Sequence, residues 1–347
     1  MSRWYRAHAL WAKIGGVLVF LVVVASLYFA VLSSPRPVGV ALGVTPTPSL
    51  LAQASATPTV TAAPTTPSVP VSTPTSAFPP GPYGVTNQKG LSYGPLGSAE
   101  QLDLCTPVGA SGLRPGVVLI HGGGFEEGSK SSYDQFCSYL ASQGFVAATL
   151  NYRLAPLNVW PAQLVDVQLA VRWLRAHASD YALDTRRLCS FGDSAGGLLA
   201  VFLGVLASIH PGDQAGMLAD QSPKVSCVVD EFGPVDMTML TKNPFWKGVF
   251  PSLFGVGGQS NQATLRDASP LFQVSGRSAP TLILQGTVDT VVPPSQSQAL
   301  QQALQQAGVP VSYISYDGEH AFGSLSNAQI TALQGQAFAY LVQQERP

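Results

Sequence analysis

The sequence predicts one α/β domain with a mostly parallel sheet in the last three quarters of a 347-residue chain. Short, continuously apolar segments recur there, amphipathic segments separate them, and glycine-containing turns follow several of them. Continuous apolar strands of this length are typical of a parallel sheet that is covered on both faces. Alternation over roughly 260 residues provides enough chain for a full hydrophobic core.

The chain begins with residues 1–13, which contain three Arg and Lys residues, and continues with the uncharged, mostly apolar segment 14–32. As a helix, this segment would span roughly 28 Å, close to the hydrocarbon thickness of a bilayer. Because positive charge precedes it and only Arg36 follows closely, we expect a single-pass signal-anchor with residues 1–13 in the cytoplasm. A cleaved signal peptide is the alternative, and in both cases the domain is exported.

Residues 33–84 are rich in Pro, Thr, Ser and Ala, and Arg36 is their only charged residue. Frequent prolines prevent helix and sheet hydrogen bonding and favour an extended, polyproline-like chain. We therefore predict a semi-stiff tether between the membrane and the domain at residues 85–347. O-linked glycosylation of the tether is left open.

Five apolar runs predict strands in the domain, and amphipathic segments between them predict helices. The strand runs are Gly116–Ile120, Val146–Leu150, Leu188–Phe191, Val225–Val229 and Thr281–Leu284, and two clear helix segments are Val165–Ala178 and Ser295–Gly308. The formal net charge of −1 gives no electrostatic support for a nucleic-acid partner.

The four cysteines, Cys105, Cys137, Cys189 and Cys227, form neither a CxxC pair nor a metal-binding pattern. Three lie in predicted strands and Cys137 in a predicted helix, where a free cysteine packs as a small apolar residue. We expect four buried thiols, with one or two disulfide bridges as the alternative that export permits.

Ser194 stands in Gly192-Asp193-Ser194-Ala195-Gly196, between a predicted strand and a predicted helix. A G-x-S-x-G motif in this context is a nucleophile elbow, in which a sharp turn projects the serine hydroxyl away from the sheet. Side chains two residues on either side would collide, which explains Gly192 and Gly196. The helix that begins here favours developing negative charge.

His121-Gly122-Gly123-Gly124 directly follows the predicted strand Gly116–Ile120. Consecutive glycines allow backbone N–H groups to face a ligand without side-chain obstruction. We predict an oxyanion hole formed by the amides of Gly122, Gly123 and Ala195, with His121 ordering the loop through hydrogen bonds.

The general base should be one of five histidines. His8 lies in the predicted cytoplasmic segment, His121 belongs to the glycine loop, and His177 and His210 belong to helices. His320 remains, in a glycine-containing loop after the apolar strand pattern 311–316, and is the predicted base.

The acid that orients the histidine should lie between serine and histidine in chain order. Asp289 follows the predicted strand Thr281–Leu284 and is the preferred candidate. Asp230 and Asp236, near the end of the preceding strand, are the competitors.

Six segments, taken together, resemble the ordered motifs of the hormone-sensitive-lipase-like esterases, and more closely those of small bacterial relatives described as acetylxylan or feruloyl esterases. The segments are HGGGF, NYRLAP, GDSAGG, EFGPVD, GTVDTVVP and GEHAF. The resemblance runs from about Gly90 to the end of the chain. It implies an α/β-hydrolase fold, Ser194 as nucleophile with Asp289 and His320 completing the triad, an ester as substrate, and neither a cofactor nor a metal.

Two departures from the family pattern are Glu319 before the histidine and Glu126-Glu127 after the glycine loop. Glu319 leaves the triad intact, and charge at 126–127 either discourages anionic substrates or is a solvated turn. The aromatic segment Thr238–Leu265 is either a partial cap over an acyl pocket or an ordinary packed excursion.

The combined prediction is an extracytoplasmic carboxylesterase for short to medium acyl chains that forms an acyl-enzyme on Ser194. Its rate should fall at acidic pH as His320 becomes protonated. An exported serine peptidase or amidase and a non-catalytic, hydrolase-like binding protein are the alternatives.

Overall fold

The computed structural model describes residues 81–206, 210, 216–255, 257–258 and 261–344. The predicted cytoplasmic segment 1–13, the predicted membrane segment 14–32 and nearly all of the tether 33–84 lie outside these residues and stay predictions. Within the described residues, no helix is both long and apolar enough to cross a membrane.

The described residues form an eight-stranded sheet with the strand order β1-β2-β4-β3-β5-β6-β7-β8. The strands are β1 (Gly84–Ser92), β2 (Gln101–Val108), β3 (Arg114–Ile120), β4 (Val146–Leu150), β5 (Leu183–Asp193), β6 (Cys227–Glu231), β7 (Thr281–Gly286) and β8 (Val311–Tyr316). β2 pairs antiparallel with both β1 and β4, and the other pairs are parallel. The predicted mostly parallel α/β architecture is therefore confirmed, with an antiparallel edge that the apolar runs did not indicate.

Helices follow most of the parallel strands. They are α1 (Asp134–Ser142), α2 (Ala162–Ala176), α3 (Ala195–Val205), α4 (Pro244–Phe254), α5 (Gln262–Asp267), α6 (Pro294–Gln306) and α7 (Asn327–Gln344). Short 3-10 turns occur at Gly97–Glu100, Lys130–Tyr133, Ala178–Tyr181, Met237–Leu240, Pro270–Gln273 and His320–Phe322. Helix α6 ends two residues before Gly308, whose φ of 70° only glycine adopts freely.

The sheet is buried on both faces, as continuous apolar strands require. One face packs against α2, α3, α4 and α6, and the other face packs against α1 and α7. Adjacent residues of one strand therefore face different cores, so that Val228 belongs to the first and Val229 to the second. This alternation decides which polar side chains can meet at the ends of the strands.

Two disulfide bridges, Cys105–Cys137 and Cys189–Cys227, replace the four thiols that we predicted. The prediction was wrong because it placed each cysteine in an apolar element without the pairing of those elements. Cys189 and Cys227 are direct register partners on β5 and β6. Cys137 lies on α1, which packs against β2 and so reaches Cys105.

Candidate active site

Ser194 sits on a sharp turn between β5 and α3, with φ 51° and ψ −117°. A non-glycine residue adopts such angles only when its surroundings fix it. The flanking glycines are needed because a Cβ on Gly192 would lie 2.2 Å from the Gly196 carbonyl oxygen, and one on Gly196 would lie 2.1 Å from that of Ile120. The Ser194 N–H donates to the carbonyl of Glu231 at 2.8 Å, which fixes the turn to the end of β6.

His320 begins the 3-10 turn after β8 and lies between Ser194 and Asp289. Its Nε2 is 2.9 Å from Ser194 Oγ, and its Nδ1 is 2.6 Å from Asp289 Oδ2. The ring of Phe232 meets the imidazole edge-on, with 5.0 Å between ring centroids. The structure thus brings the three predicted residues into one hydrogen-bonded chain.

Asp289 lies in the loop after β7, with only 3% of its surface exposed. Its Oδ1 accepts hydrogen bonds from the amides of Val291 and Val292, both at 2.9 Å. Gln285 Nε2 lies 3.3 Å from Oδ2, the oxygen that faces His320. These contacts fix the carboxylate with one oxygen on the backbone and the other on the imidazole.

The two competing aspartates have other partners. Asp230 Oδ1 accepts from the Gly233 amide at 2.9 Å, and Asp236 caps the following turn by accepting from Thr238. Neither carboxylate has a hydrogen bond to His320 among the described residues. The geometry therefore favours Asp289 as the acid that orients the imidazole.

The glycine loop after β3 corrects one predicted oxyanion donor. The Gly122 N–H donates to Asp193 Oδ1 at 2.9 Å, so it is already occupied and the prediction for Gly122 was wrong. The physical reason is that the carboxylate arrives from the neighbouring strand β5, which the loop sequence does not reveal. Within the described residues, the amides of Gly123, Gly124 and Ala195 have no acceptor, and Gly123 and Gly124 have positive φ.

His121 orders this loop. Among the described residues, it forms no hydrogen bond with the Ser194 hydroxyl. Its Nδ1 is 2.8 Å from the Gly122 carbonyl oxygen, and its ring stacks on Tyr152 at 4.3 Å. Burial lowers the pKa of His121 to about 4, so the ring is neutral near pH 7. His177 and His210 form their hydrogen bonds elsewhere.

Helix α4 is fixed to the loop that carries Asp289. Trp246 Nε1 donates to the Val291 carbonyl at 2.8 Å, and Asn243 Nδ2 donates to the Thr290 carbonyl at 2.9 Å. Asn243 also caps the first turn of the helix, which starts at Pro244. The predicted aromatic segment thus forms a helix that is hydrogen-bonded to the loop carrying Asp289.

The other side of α4 covers the glycine loop. A Cβ on Gly124 would lie 3.5 Å from the ring of Phe245 and 3.8 Å from Val249. Phe245 is 43% exposed, whereas Val249 is buried. The sequence left open whether Glu126 lies in a solvated turn or acts on anionic substrates. In the structure, Glu126 accepts a hydrogen bond from the Ser252 hydroxyl near the end of the helix.

Three buried carboxyl groups, those of Asp193, Asp230 and Glu231, lie at the ends of β5 and β6, close to Ser194 in the fold. Burial raises the pKa of Asp193, while hydrogen bonds from Tyr133 and Gly122 lower it. Burial raises the pKa of Asp230 to about 7. Burial and the neighbouring Asp193 and Asp230 raise the pKa of Glu231 well above its usual range.

The motifs of the sequence indicated no role for Tyr133, Asp193 or Glu231. The available signal was two charged residues at the end of the apolar run of β6, where a buried strand would otherwise continue.

Within the described residues, no group of three or more His, Cys, Asp or Glu side chains is arranged to hold a metal ion.

A family model described as BD-FAE matches residues 102–304. The chain is 30% identical over 250 residues to the probable carboxylic ester hydrolase LipM of Mycobacterium tuberculosis, covering 69% of this chain and 57% of LipM. It is 30% identical over 252 residues to the esterase LipQ of the same organism, covering 70% of this chain and 59% of LipQ. The chain thus spans between half and two thirds of the length of these relatives.

Solved structures share the fold over most of their length. A truncated carbohydrate esterase from gut microbiota has a TM-score of 0.63 at 24% identity. The match covers 97% of that esterase and 76% of this chain. A thermophilic esterase from the Planctomycetes species Thermogutta terrifontis, in a propionate-bound form, has a TM-score of 0.60 at 21% identity, with 76% of this chain and 96% of the esterase covered. At this identity the likeness shows the fold, which is that of the α/β-hydrolases.

Proposed function

Since the chain belongs to the BD-FAE family and has the α/β-hydrolase fold, we propose that it hydrolyses carboxylic esters at Ser194. The observation that carries the proposal is the continuous hydrogen-bonded chain from Ser194 Oγ through His320 to Asp289. The resemblance of the family relatives to this chain supports ester chemistry in particular.

In the proposed mechanism, Ser194 Oγ attacks the ester carbonyl carbon while His320 Nε2 accepts the hydroxyl proton. Asp289 stabilises the imidazolium that forms. The proton then passes to the leaving alcohol, and an acyl-enzyme remains. Water activated by His320 releases the carboxylic acid and restores the serine.

The developing oxyanion requires donors beside Ser194. We assign this role to the amides of Gly123 and Ala195, together with Gly124 in place of Gly122. Support comes from the absence of other acceptors for these three amides among the described residues. Ala195 also begins α3, whose N-terminal end favours negative charge.

The acyl group is proposed to be short to medium in length. Phe245 and Val249 of α4 lie within van der Waals distance of a Cβ placed on Gly124, which limits the space next to the glycine loop. A series of p-nitrophenyl esters of increasing chain length checks this: kcat/KM should fall for long chains in the wild type and less in Phe245→Ala. An unchanged series in that variant would contradict a wall formed by α4.

We also propose that the catalytic domain is exported and held at the cell membrane by residues 14–32. The two disulfide bridges support an oxidising compartment. Protease treatment of intact cells should remove the domain while a cytoplasmic marker survives. A domain released into the medium would instead indicate the cleaved signal peptide.

The decisive experiment measures hydrolysis of p-nitrophenyl acetate and butyrate by the full chain. Ser194→Ala should lose at least about 10³-fold in kcat, whereas the exposed control Ser179→Ala should match the wild type. A folded wild type that is no faster than Ser194→Ala would refute the proposal. Turnover of aminoacyl anilides without ester turnover would point to the peptidase alternative.

A further inference from the structure

Glu231 is a buried acid that the proposed mechanism does not use. It is the last residue of β6, its side chain is 0% exposed, and neither carboxyl oxygen has a hydrogen-bond partner among the described residues. Its own carbonyl accepts the N–H of Ser194. A buried carboxyl without partners is far cheaper as the neutral acid than as the anion, so Glu231 carries a proton at neutral pH.

Asp193 is the direct register partner of Glu231 across β5 and β6. Neighbouring strands lie about 4.8 Å apart, and paired residues of parallel strands point to the same face of the sheet. Asp193 Oδ1 accepts from the Gly122 amide at 2.9 Å and from the Tyr133 hydroxyl at 2.7 Å. Asp193 therefore acts as an acceptor, and a second negative charge beside it would be repelled.

We propose that the Asp193–Glu231 pair carries one proton in total, located on Glu231, and that this pair positions the glycine loop for catalysis. Glu231 is the neutral member, which allows Asp193 to stay ionised and to hold Gly122. Loss of the proton from Glu231 would place two carboxylates side by side, and their repulsion would push Asp193 away from Gly122. Glu231 is thus a positioning residue, and its role in turnover rests on the ester hydrolysis proposed above.

The surroundings of Glu231 agree with a proton on its carboxyl group. Among the described residues, the titratable groups that act on it are Asp193 from β5, Asp230 from its own strand and Tyr316 from β8. None of these is a cation. Asp230 points to the opposite face, where a Cβ on Gly197 of α3 would lie 2.5 Å from its Oδ1. Further from Glu231, Asp289 acts electrostatically on Tyr316, and His320 acts electrostatically on Asp193.

Infrared spectroscopy tests the proton directly, without any substrate. At about pH 8.5, Asp230 is ionised, so the protonated-carboxyl band of the wild type should be lost in Glu231→Gln and retained in Asp230→Asn. An identical band in wild type and Glu231→Gln overturns the proton on Glu231. In a second variant, Asp193→Asn, the neighbouring charge is gone and the band should disappear at lower pH; an unchanged midpoint would also overturn it.

The positioning role is tested by the alkaline limb of kcat/KM for p-nitrophenyl butyrate, after subtraction of spontaneous hydrolysis. The kcat/KM of the wild type should fall about tenfold per pH unit once the proton dissociates from Glu231. Glu231→Gln should have no such limb because an amide does not titrate, whereas Asp230→Asn should keep it. A limb that persists in Glu231→Gln, or a flat wild-type profile up to the pH of unfolding, overturns the role.

The two experiments separate this inference from the proposed function. A wild type without ester turnover refutes the function, while the infrared band still decides whether the pair holds a proton. A wild type that turns over esters without a band specific to Glu231 leaves the function standing and refutes the pair.

Discussion

Replacement of Asp289 by asparagine separates the role of its charge from the role of its shape. Asp289 Oδ1 accepts the amides of Val291 and Val292, both at 2.9 Å. These two donors will hold the asparagine carbonyl oxygen in the same place, so the new amide nitrogen must face His320 Nδ1. An NH₂ group only donates, and it therefore requires Nδ1 to be unprotonated.

The consequence is a change of tautomer at His320. With Nδ1 unprotonated, the neutral ring carries its hydrogen on Nε2, which lies 2.9 Å from Ser194 Oγ. Nε2 then has no lone pair with which to accept the serine proton. The same replacement in a serine protease triad lowers kcat by about 10⁴. At 1.36 kcal/mol per tenfold, this corresponds to about 5.5 kcal/mol of transition-state stabilisation.

The assay is kcat and kcat/KM for p-nitrophenyl butyrate, with thermal unfolding measured on the same samples. Asp236→Asn is the matched control, because Asp236 is also buried and also accepts a backbone amide. We expect the control to stay within a few-fold of the wild type. If folded Asp289→Asn keeps more than a tenth of wild-type kcat, or if Asp236→Asn is equally impaired, the assignment of the acid is wrong.

Three further predictions concern stability. Gly196→Ala places a Cβ 2.1 Å from the backbone oxygen of Ile120, which cannot move away. We therefore expect the free energy of unfolding, measured in urea, to fall by at least about 3 kcal/mol. The control Gly335→Ala, where a Cβ meets no atom within 4 Å, should be neutral or slightly stabilising, and equal effects of the two changes would contradict the crowding argument. The Cys105–Cys137 bridge closes a loop between cysteines 32 residues apart in sequence. Its removal by a double change to alanine should lower the free energy of unfolding by about 4 kcal/mol. An unchanged denaturation midpoint would show that the bridge does not form. Burial raises the folded-state pKa of Asp230 to about 7, against about 3.9 in the unfolded chain, so the folded state binds the proton more tightly and stability falls as pH rises between these values. Asp230→Asn should therefore gain roughly 2 to 3 kcal/mol relative to wild type between about pH 5 and pH 8, and a difference that does not change with pH would argue against a buried neutral Asp230.

The sequence predicted those parts of the site that depend on neighbouring residues. Ser194 requires a sharp turn with glycines two residues away on both sides, and that requirement is visible as a motif. Asp289 and His320 follow because each comes directly after an apolar strand. The carboxyl ends of parallel strands meet at one edge of the sheet, so the order along the chain placed these residues near each other, while Asp230 and Asp236 stayed open as competitors.

Pairings between separate segments were not accessible in the same way. Gly122 belongs to a glycine loop that looks free in sequence, yet its amide is taken by Asp193 from another strand. Cys189 looks like a core residue of β5, yet its register places it beside Cys227 of β6. In both cases the missing information is the register between two strands, which no local pattern contains.

Register also explains why two adjacent acids at the end of β6 have different consequences. Asp230 attracted notice in the sequence as a rival for the histidine, whereas Glu231 did not. In the sheet, Asp230 faces α3 and accepts the Gly233 amide, while Glu231 faces the opposite side together with Asp193. A shift of one residue exchanges the two faces. A single position therefore decides whether an acid at this strand end supports a turn or lies beside the residue that holds the glycine loop. The function of such a residue is therefore determined by its face of the sheet, and not by its distance along the chain from the nucleophile.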